Sequence, residues 1–128
     1  MRVLLDTHTL IWWYLDRPEL SRTADAILRD EANIAMVSAA SIFEIAVKHR
    51  IGKLPQIAEL LNDLDALLDQ QMFETLNITT QHARRAGLLA GPHRDPFDRM
   101  LAAQAIVDNL VLISSDTALD QFGVQRLW

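Results

Sequence analysis

The chain has 128 residues and a mass of about 14.5 kDa, half hydrophobic and 23% charged, a composition that predicts one soluble globular domain over residues 1–128. It contains no cysteine, which excludes thiolate zinc sites, iron–sulfur clusters, thiol nucleophiles and disulfide frameworks. Twelve Lys and Arg against seventeen Asp and Glu give a net charge of −5, which argues against coating nucleic acid by bulk electrostatics but leaves room for a local basic rim.

Val3-Leu4-Leu5 is a short apolar run closed by Asp6-Thr7-His8, and the amphipathic stretch after it, carrying Trp12, Trp13 and Tyr14, predicts strand then helix. The longest apolar run, Leu10 to Leu15, is too short to span a bilayer and lacks the flanks of a signal peptide, so no membrane association and a cytoplasmic location are expected. Ser21 is placed to cap a second helix bearing Ala24, Ile27 and Leu28. Ile34 to Val37 predicts a second strand ending at Ser38, followed by a helix with Ile42, Ile45, Ala46 and His49 on one face, stopped at Gly52. Ile57, Leu60, Leu61, Leu64 and Leu68 predict one continuous amphipathic helix. Glu74 to Ile78 alternates like a strand, and Thr79 or Thr80 caps a helix running to Gly87. The turn-rich segment Gly91–Asp98 delivers Pro96 to the first position of a helix ending near Asn109. Leu110 to Ile113 is the most hydrophobic strand, closed by Ser114-Ser115-Asp116; a short helix and a strand, Val124 to Leu127, complete the chain. Short apolar strands alternating with helices predict an α/β fold: a three-layer α/β/α sandwich around a parallel sheet of about five strands.

In such sheets ligands bind beyond the carboxyl ends of the strands, where the strand order reverses. Asp6 follows the first strand, Asp116 follows the most apolar one, Glu44 lies a turn into the helix after the second strand, and Asp98 opens the helix after the long loop. Each has a local explanation. Asp6 and Asp116 suit helix caps, Ser41-x-x-Glu44 matches a capping box, Asp95-Pro96-Phe97-Asp98 reads as cap, N1 proline and first-turn acid, and Glu44 precedes Lys48 by four residues. Four caps have no reason to converge on one rim, however, and four carboxylates brought together repel unless a cation holds them. Oxygen ligands without cysteine or a histidine pair select a hard ion, Mg²⁺ or its substitute Mn²⁺. Such ions activate a water and stabilise the leaving oxygen of a phosphodiester, so metal-dependent hydrolysis is the expected reaction.

Other chemistries lack their motifs: no G-x-S-x-G, G-x-G-x-x-G or P-loop is present. Lys48, His93, Arg94 and Arg99 are candidate contacts to substrate phosphates around the acidic site. His49 reads as a packing residue, and His82 carries no signal. Trp12, Trp13 and Tyr14 cannot all point inward from one helix, so one or two are expected at the surface, as a protein-binding groove or a stacking platform.

Leu4-Leu5-Asp6-Thr7-His8, Ser41-x-x-Glu44-Ile45-Ala46-x-Lys48, Gly52-Lys53-Leu54, His93-Arg-Asp-Pro-Phe-Asp98-Arg99, Ala103-Gln104-Ala105, Ser114-x-Asp116 and Leu127-Trp128, in this order and spacing, resemble a PIN-domain ribonuclease of the VapC type, the toxin of bacterial toxin–antitoxin pairs. The resemblance places the family's acidic quartet, as catalytic and metal-binding residues, on Asp6, Glu44, Asp98 and Asp116. Thr7 and Ser114 fall where the family has a hydroxyl that orients a carboxylate or metal water, and Asp95 is a supporting acid beside the pocket. Ser114-Ser115-Asp116 stands where Thr-x-Asp is commoner, and Phe43 where Trp is frequent. The resemblance implies a Mg²⁺-dependent endoribonuclease acting on structured RNA such as tRNA or rRNA, a homodimer, and a VapB-like antitoxin that reaches a basic side chain into the acidic pocket. Two rivals are a PIN-like module that binds without catalysis and a receiver-like acidic-pocket domain. The latter requires an acceptor Asp after the third strand, where this chain has Thr79-Thr80.

Overall fold

Residues 1–128 are described by a computed structural model. Five strands, β1 (Arg2–Leu5), β2 (Ile34–Ser38), β3 (Glu74–Leu76), β4 (Val111–Ile113) and β5 (Arg126–Leu127), make one sheet in the order β3-β2-β1-β4-β5. All four pairings are parallel, with Val3, Leu4 and Leu5 in register with Ala35, Met36 and Val37 on one side and with Val111, Leu112 and Ile113 on the other. The order differs from the 2-1-3-4-5 order of flavodoxin-like and receiver folds, which removes the receiver-like rival. The chain moves outward through β2 and β3, then returns to lay β4 on the opposite flank of β1. The reversal therefore falls between the carboxyl ends of β1 and β4.

Side chains alternate across a strand, so neighbouring apolar residues serve different layers. Val3, Leu5, Val37 and Ile113 pack with Leu10 and Ile11 of α1 (Thr7–Tyr14), Ala24 and Leu28 of α2 (Arg22–Arg29), Ile45 of α3 (Ala39–Arg50), and Leu60 and Leu68 of α4 (Ala58–Asn62) and α5 (Leu64–Gln70). Leu4, Met36 and Leu112 pack on the other side against Leu101, Ala102 and Ala105 of α7 (Pro96–Val107), with α6 (Thr80–Leu88) docked on α7. This is the expected three-layer sandwich, and a sheet covered on both faces explains why its strands read as unbroken apolar runs.

Four expectations are corrected. The helix expected over Ile57–Leu68 is a 3₁₀ turn (Pro55–Ile57) followed by α4 and α5, broken at Asp63 with φ −119° and ψ 36°. Asn and Asp are poorer helix formers than the residues around them, and the break falls at Asn62-Asp63, while Ile57, Leu60 and Leu68 still reach the core. The third strand stops at Leu76 and the short late helix is 3₁₀ (Thr117–Phe122). Trp12, Trp13 and Tyr14 are all half-buried rather than partly at the surface. Trp12 lies between His8 and Trp128, and Trp13 packs on Phe73, donates Nε1–H to Gln71 (3.0 Å) and sits 5.0 Å beneath the Arg29 guanidinium. Tertiary neighbours from α2, α5 and the C-terminus shield flanks that a lone helix would expose.

Candidate active site

Asp6 caps α1 in extended conformation, its Oδ1 accepting from the Thr9 amide at 2.8 Å. The Thr9 hydroxyl lies 2.9 Å from the same oxygen and 2.8 Å from the Ile113 carbonyl, and its single proton serves one of the two. The other oxygen, Oδ2, accepts from the Ser114 hydroxyl, whose oxygen in turn accepts from the Asp116 amide at 3.0 Å. Ser114 thus ties the end of β1 to the end of β4. Asp6 is 5% exposed and Ser114 fully buried, so these bonds lie where a lost partner costs about 1–3 kcal/mol.

Asp116 caps the late 3₁₀ helix through the Ala118 amide, and Asp95 caps α7 through the amides of Phe97 and Asp98, with Pro96 at the first helical position. Glu44 is not part of a capping box, because α3 begins earlier, at Ser38, which accepts from the Ala40 amide. Ser41 instead accepts from the Thr7 hydroxyl at 3.1 Å, joining the starts of α1 and α3. Thr7 accordingly reaches no carboxylate, and Thr9 supplies the second hydroxyl at Asp6. Glu44 is buried and accepts from Lys48 Nζ at 2.7 Å, one helical turn away.

Asp98 sits in the first turn of α7, its Oδ2 2.8 Å from His93 Nε2. Burial pushes the Asp98 carboxyl above the ordinary carboxylate range; the His93 hydrogen bond opposes this, and the nearby charges of Asp95 and Asp116 add to it. Ligand-capable atoms of His93, Asp98 and Asp116 lie within 4.8 Å of one another. Asp98 and Asp116 thus come together beside His93, and Asp6 is tied to Asp116 through Ser114, whereas Glu44 pairs with Lys48 and stands outside this cluster. Two mutually repelling carboxylates with one imidazole beside them are a donor set that fits a divalent cation.

The cationic candidates separate. Arg99 is half-buried and gives its donors to backbone carbonyls: Ala86 (3.2 Å), His93 (2.8 Å), Gly91 (3.5 Å) and Leu89, with its carbon 5.4 Å from the Phe122 ring centre. It holds the loop from α6 to α7. Arg94 is exposed and, with His93, Pro92, Gly91 and Arg99, lines a hollow of about 430 Å³ on the loop before α7. Lys48 lines another of about 470 Å³ with His8, Trp12 and Lys53. A third hollow, about 380 Å³ between Trp13, Arg29, Met72 and Glu74, opens at the amino ends of β2 and β3, away from the acids.

Two residues escaped the sequence reading. His82 is buried; Nδ1 accepts from the Thr79 amide at 3.1 Å and Nε2 faces Asp108 at 3.0 Å, so Thr79-x-x-His82 is a capping box with histidine in the usual place of Glu. Gln104 is buried between Ser38 Oγ (2.6 Å) and the Asn77 carbonyl (3.4 Å), pinning α7 to the ends of β2 and β3. The Thr–x–x spacing hinted at the first; nothing local marks the second.

With its five-stranded parallel sheet and Asp6, Asp98 and Asp116 at the β1/β4 reversal, the chain belongs to the PIN-domain family, whose model matches residues 3–125. It is 30% identical over 118 residues to Ribonuclease VapC22 of Mycobacterium tuberculosis (strain ATCC 25618 / H37Rv), covering 91% of this chain and 88% of that protein. Its fold is similar to VapBC2 from Rickettsia felis bound to a DNA fragment from their promoter (TM-score 0.74, 15% identity, 100% of this chain and 99% of that one). It is also similar to VapBC-1 from nontypeable Haemophilus influenzae (TM-score 0.70, 20% identity, 99% and 97%). No helix is long and apolar enough to cross a membrane.

Proposed function

We propose that this chain, acting as one unit over residues 1–128, is a metal-dependent endoribonuclease and the toxin of a toxin–antitoxin pair in the cytoplasm. Asp6, Glu44, Asp98 and Asp116 are its catalytic and metal-binding acids. The observation that carries this reading is the meeting of Asp98 and Asp116 at the β1/β4 reversal, with Asp6 tied to them through Ser114. Similarity to a protein named a ribonuclease supports the substrate class. A bound Mg²⁺, or Mn²⁺ in its place, would supply charge neutralisation and an activated water.

The protein's own groups do the rest. Thr9 and Ser114 hold the Asp6 carboxylate in one orientation, and Asp95 fixes the first turn of α7 so that Asp98 faces Asp116. Lys48 balances the charge of buried Glu44. Exposed Arg94 and the hollow beside His93 offer donors to the phosphates of a structured RNA such as tRNA or rRNA. A VapB-like antitoxin lies along α1, where the Trp12 and Trp13 edges border hollows, and places a basic side chain against the acids; the toxin itself pairs as a homodimer.

The test is purified, antitoxin-free protein incubated with total bacterial RNA in Mg²⁺ or in EDTA, beside Asp98→Asn, with new 5′ ends sequenced. Discrete cuts requiring both metal and Asp98 are expected. Intact RNA in every arm, with RNA still bound, would overturn the nuclease reading in favour of a binding module.

A further inference from the structure

We propose that His93 is itself a metal ligand, making the centre a mixed nitrogen–oxygen site with Asp98 and Asp116 that binds a first-row transition ion such as Mn²⁺ more tightly than Mg²⁺. The inference rests on the metal-dependent reading above and adds one nitrogen donor to the acids proposed to hold the ion.

Spacing is the first support. His93 Nε2 lies 2.8 Å from Asp98 Oδ2, and both lie within 4.8 Å of an Asp116 oxygen. Adjacent donors around an ion with bonds of about 2.1 Å stand roughly 3 Å apart, so small side-chain adjustments close this triad on a cation.

The second support is the way the loop presents the ring. The His93 amide donates to Gln121 Oε1 at 3.2 Å, its carbonyl accepts from Arg99 Nη1 at 2.8 Å, and its imidazole packs 6.2 Å from the Phe122 ring centre. Gly91 makes room for this arrangement: its φ is +121°, and a Cβ there would come within 2.6 Å of Gln121 Oε1. Three residues outside the acidic quartet thus hold one imidazole at the carboxylates.

The third is donor chemistry. Asp6 is tied to Asp116 through Ser114, so the acids at this end of the sheet offer only oxygen, and His93 adds the one nitrogen within reach of Asp98 and Asp116. An imidazole nitrogen favours transition ions, whereas Mg²⁺ selects oxygen.

Mn²⁺ alone is the probe. The antitoxin-free protein is titrated with Mn²⁺, free ion is followed by its electron paramagnetic resonance signal, and the bound ion is examined by pulsed resonance for ¹⁴N modulation. Wild type is expected to show nitrogen modulation and to release Mn²⁺ only at more than tenfold excess of Mg²⁺. In His93→Gln the modulation disappears and the Mn²⁺ dissociation constant rises at least tenfold, with circular dichroism confirming the fold. Mn²⁺ bound to wild type without nitrogen modulation would overturn the inference while leaving the nuclease reading intact, and this wild-type measurement decides even if the variant does not fold. Unchanged Mn²⁺ affinity in a folded His93→Gln also overturns it. Failure of wild type to bind Mn²⁺ at all would remove both.

Discussion

Replacing Arg99 by methionine keeps the length and apolar stem of the side chain while removing every donor that holds the loop from α6 to α7. The bonds to the Ala86 and His93 carbonyls, at 3.2 and 2.8 Å, have ordinary geometry, and hydrogen bonds to a charged donor contribute about 1.5–3 kcal/mol each. Taking the lower end for a half-buried side chain whose acceptors water can partly reach, Arg99→Met is expected to destabilise by about 3 kcal/mol. That is a substantial share of the ~5–15 kcal/mol that holds a domain folded. Arg99→Lys, a point donor without the fork, recovers about half. Equilibrium unfolding in urea measures this: with a slope of about 1.5–2 kcal/mol/M the Met midpoint falls by roughly 1.5–2 M. Because the same guanidinium holds the His93 carbonyl, Mn²⁺ affinity should fall with stability. Arg99→Met within about 0.5 kcal/mol of wild type would refute the assignment of these bonds. A destabilised variant with wild-type metal affinity would refute the positioning of His93.

Asp98→Asn is expected to abolish RNA cleavage yet raise the melting temperature in EDTA at neutral pH. Burial lifts the Asp98 pKa in the folded state above its unfolded value, so ionisation opposes folding: the penalty is complete above the folded pKa and absent below the unfolded one. The gain should therefore vanish as pH falls through the carboxylate range, and an Asn variant no more stable than wild type at pH 7 would contradict it. Ser114→Ala removes the donor to Asp6 Oδ2 and the acceptor for the Asp116 amide; urea unfolding should show a loss of about 1–3 kcal/mol, with weaker metal binding by titration. Leu112→Ala, in the fully buried middle of β4, should cost about 2–5 kcal/mol by the same assay while leaving the cleavage pattern on RNA unchanged.

What the sequence determined by itself is local. Val3-Leu4-Leu5 and Leu110 to Ile113 announce strands because a sheet covered on both faces wants apolar residues at every position. Asp6, Ser21, Asp95 and Thr79 announce helix starts because a cap bonds an amide two or three residues ahead. The acids at strand and helix ends were legible for the same reason, as was the Glu44–Lys48 pair one turn apart. Tertiary structure decided what depends on partners distant in the chain. Ser114 meets Asp6 across 108 positions and Gln104 meets Ser38 across 66. The strand order β3-β2-β1-β4-β5 places β1 and β4 side by side so that these meetings occur. Arg99 reads as a surface cation and proves to be the anchor of a loop, because its carbonyl partners become neighbours only when α6 packs on α7. His93 lies five residues from Asp98 in the chain, but Gln121 and Phe122, 28 and 29 positions on, help set the ring against that carboxylate. Periodicity and capping act over a few residues and can be read along a chain, whereas a side chain's choice among distant acceptors is made only when the layers close.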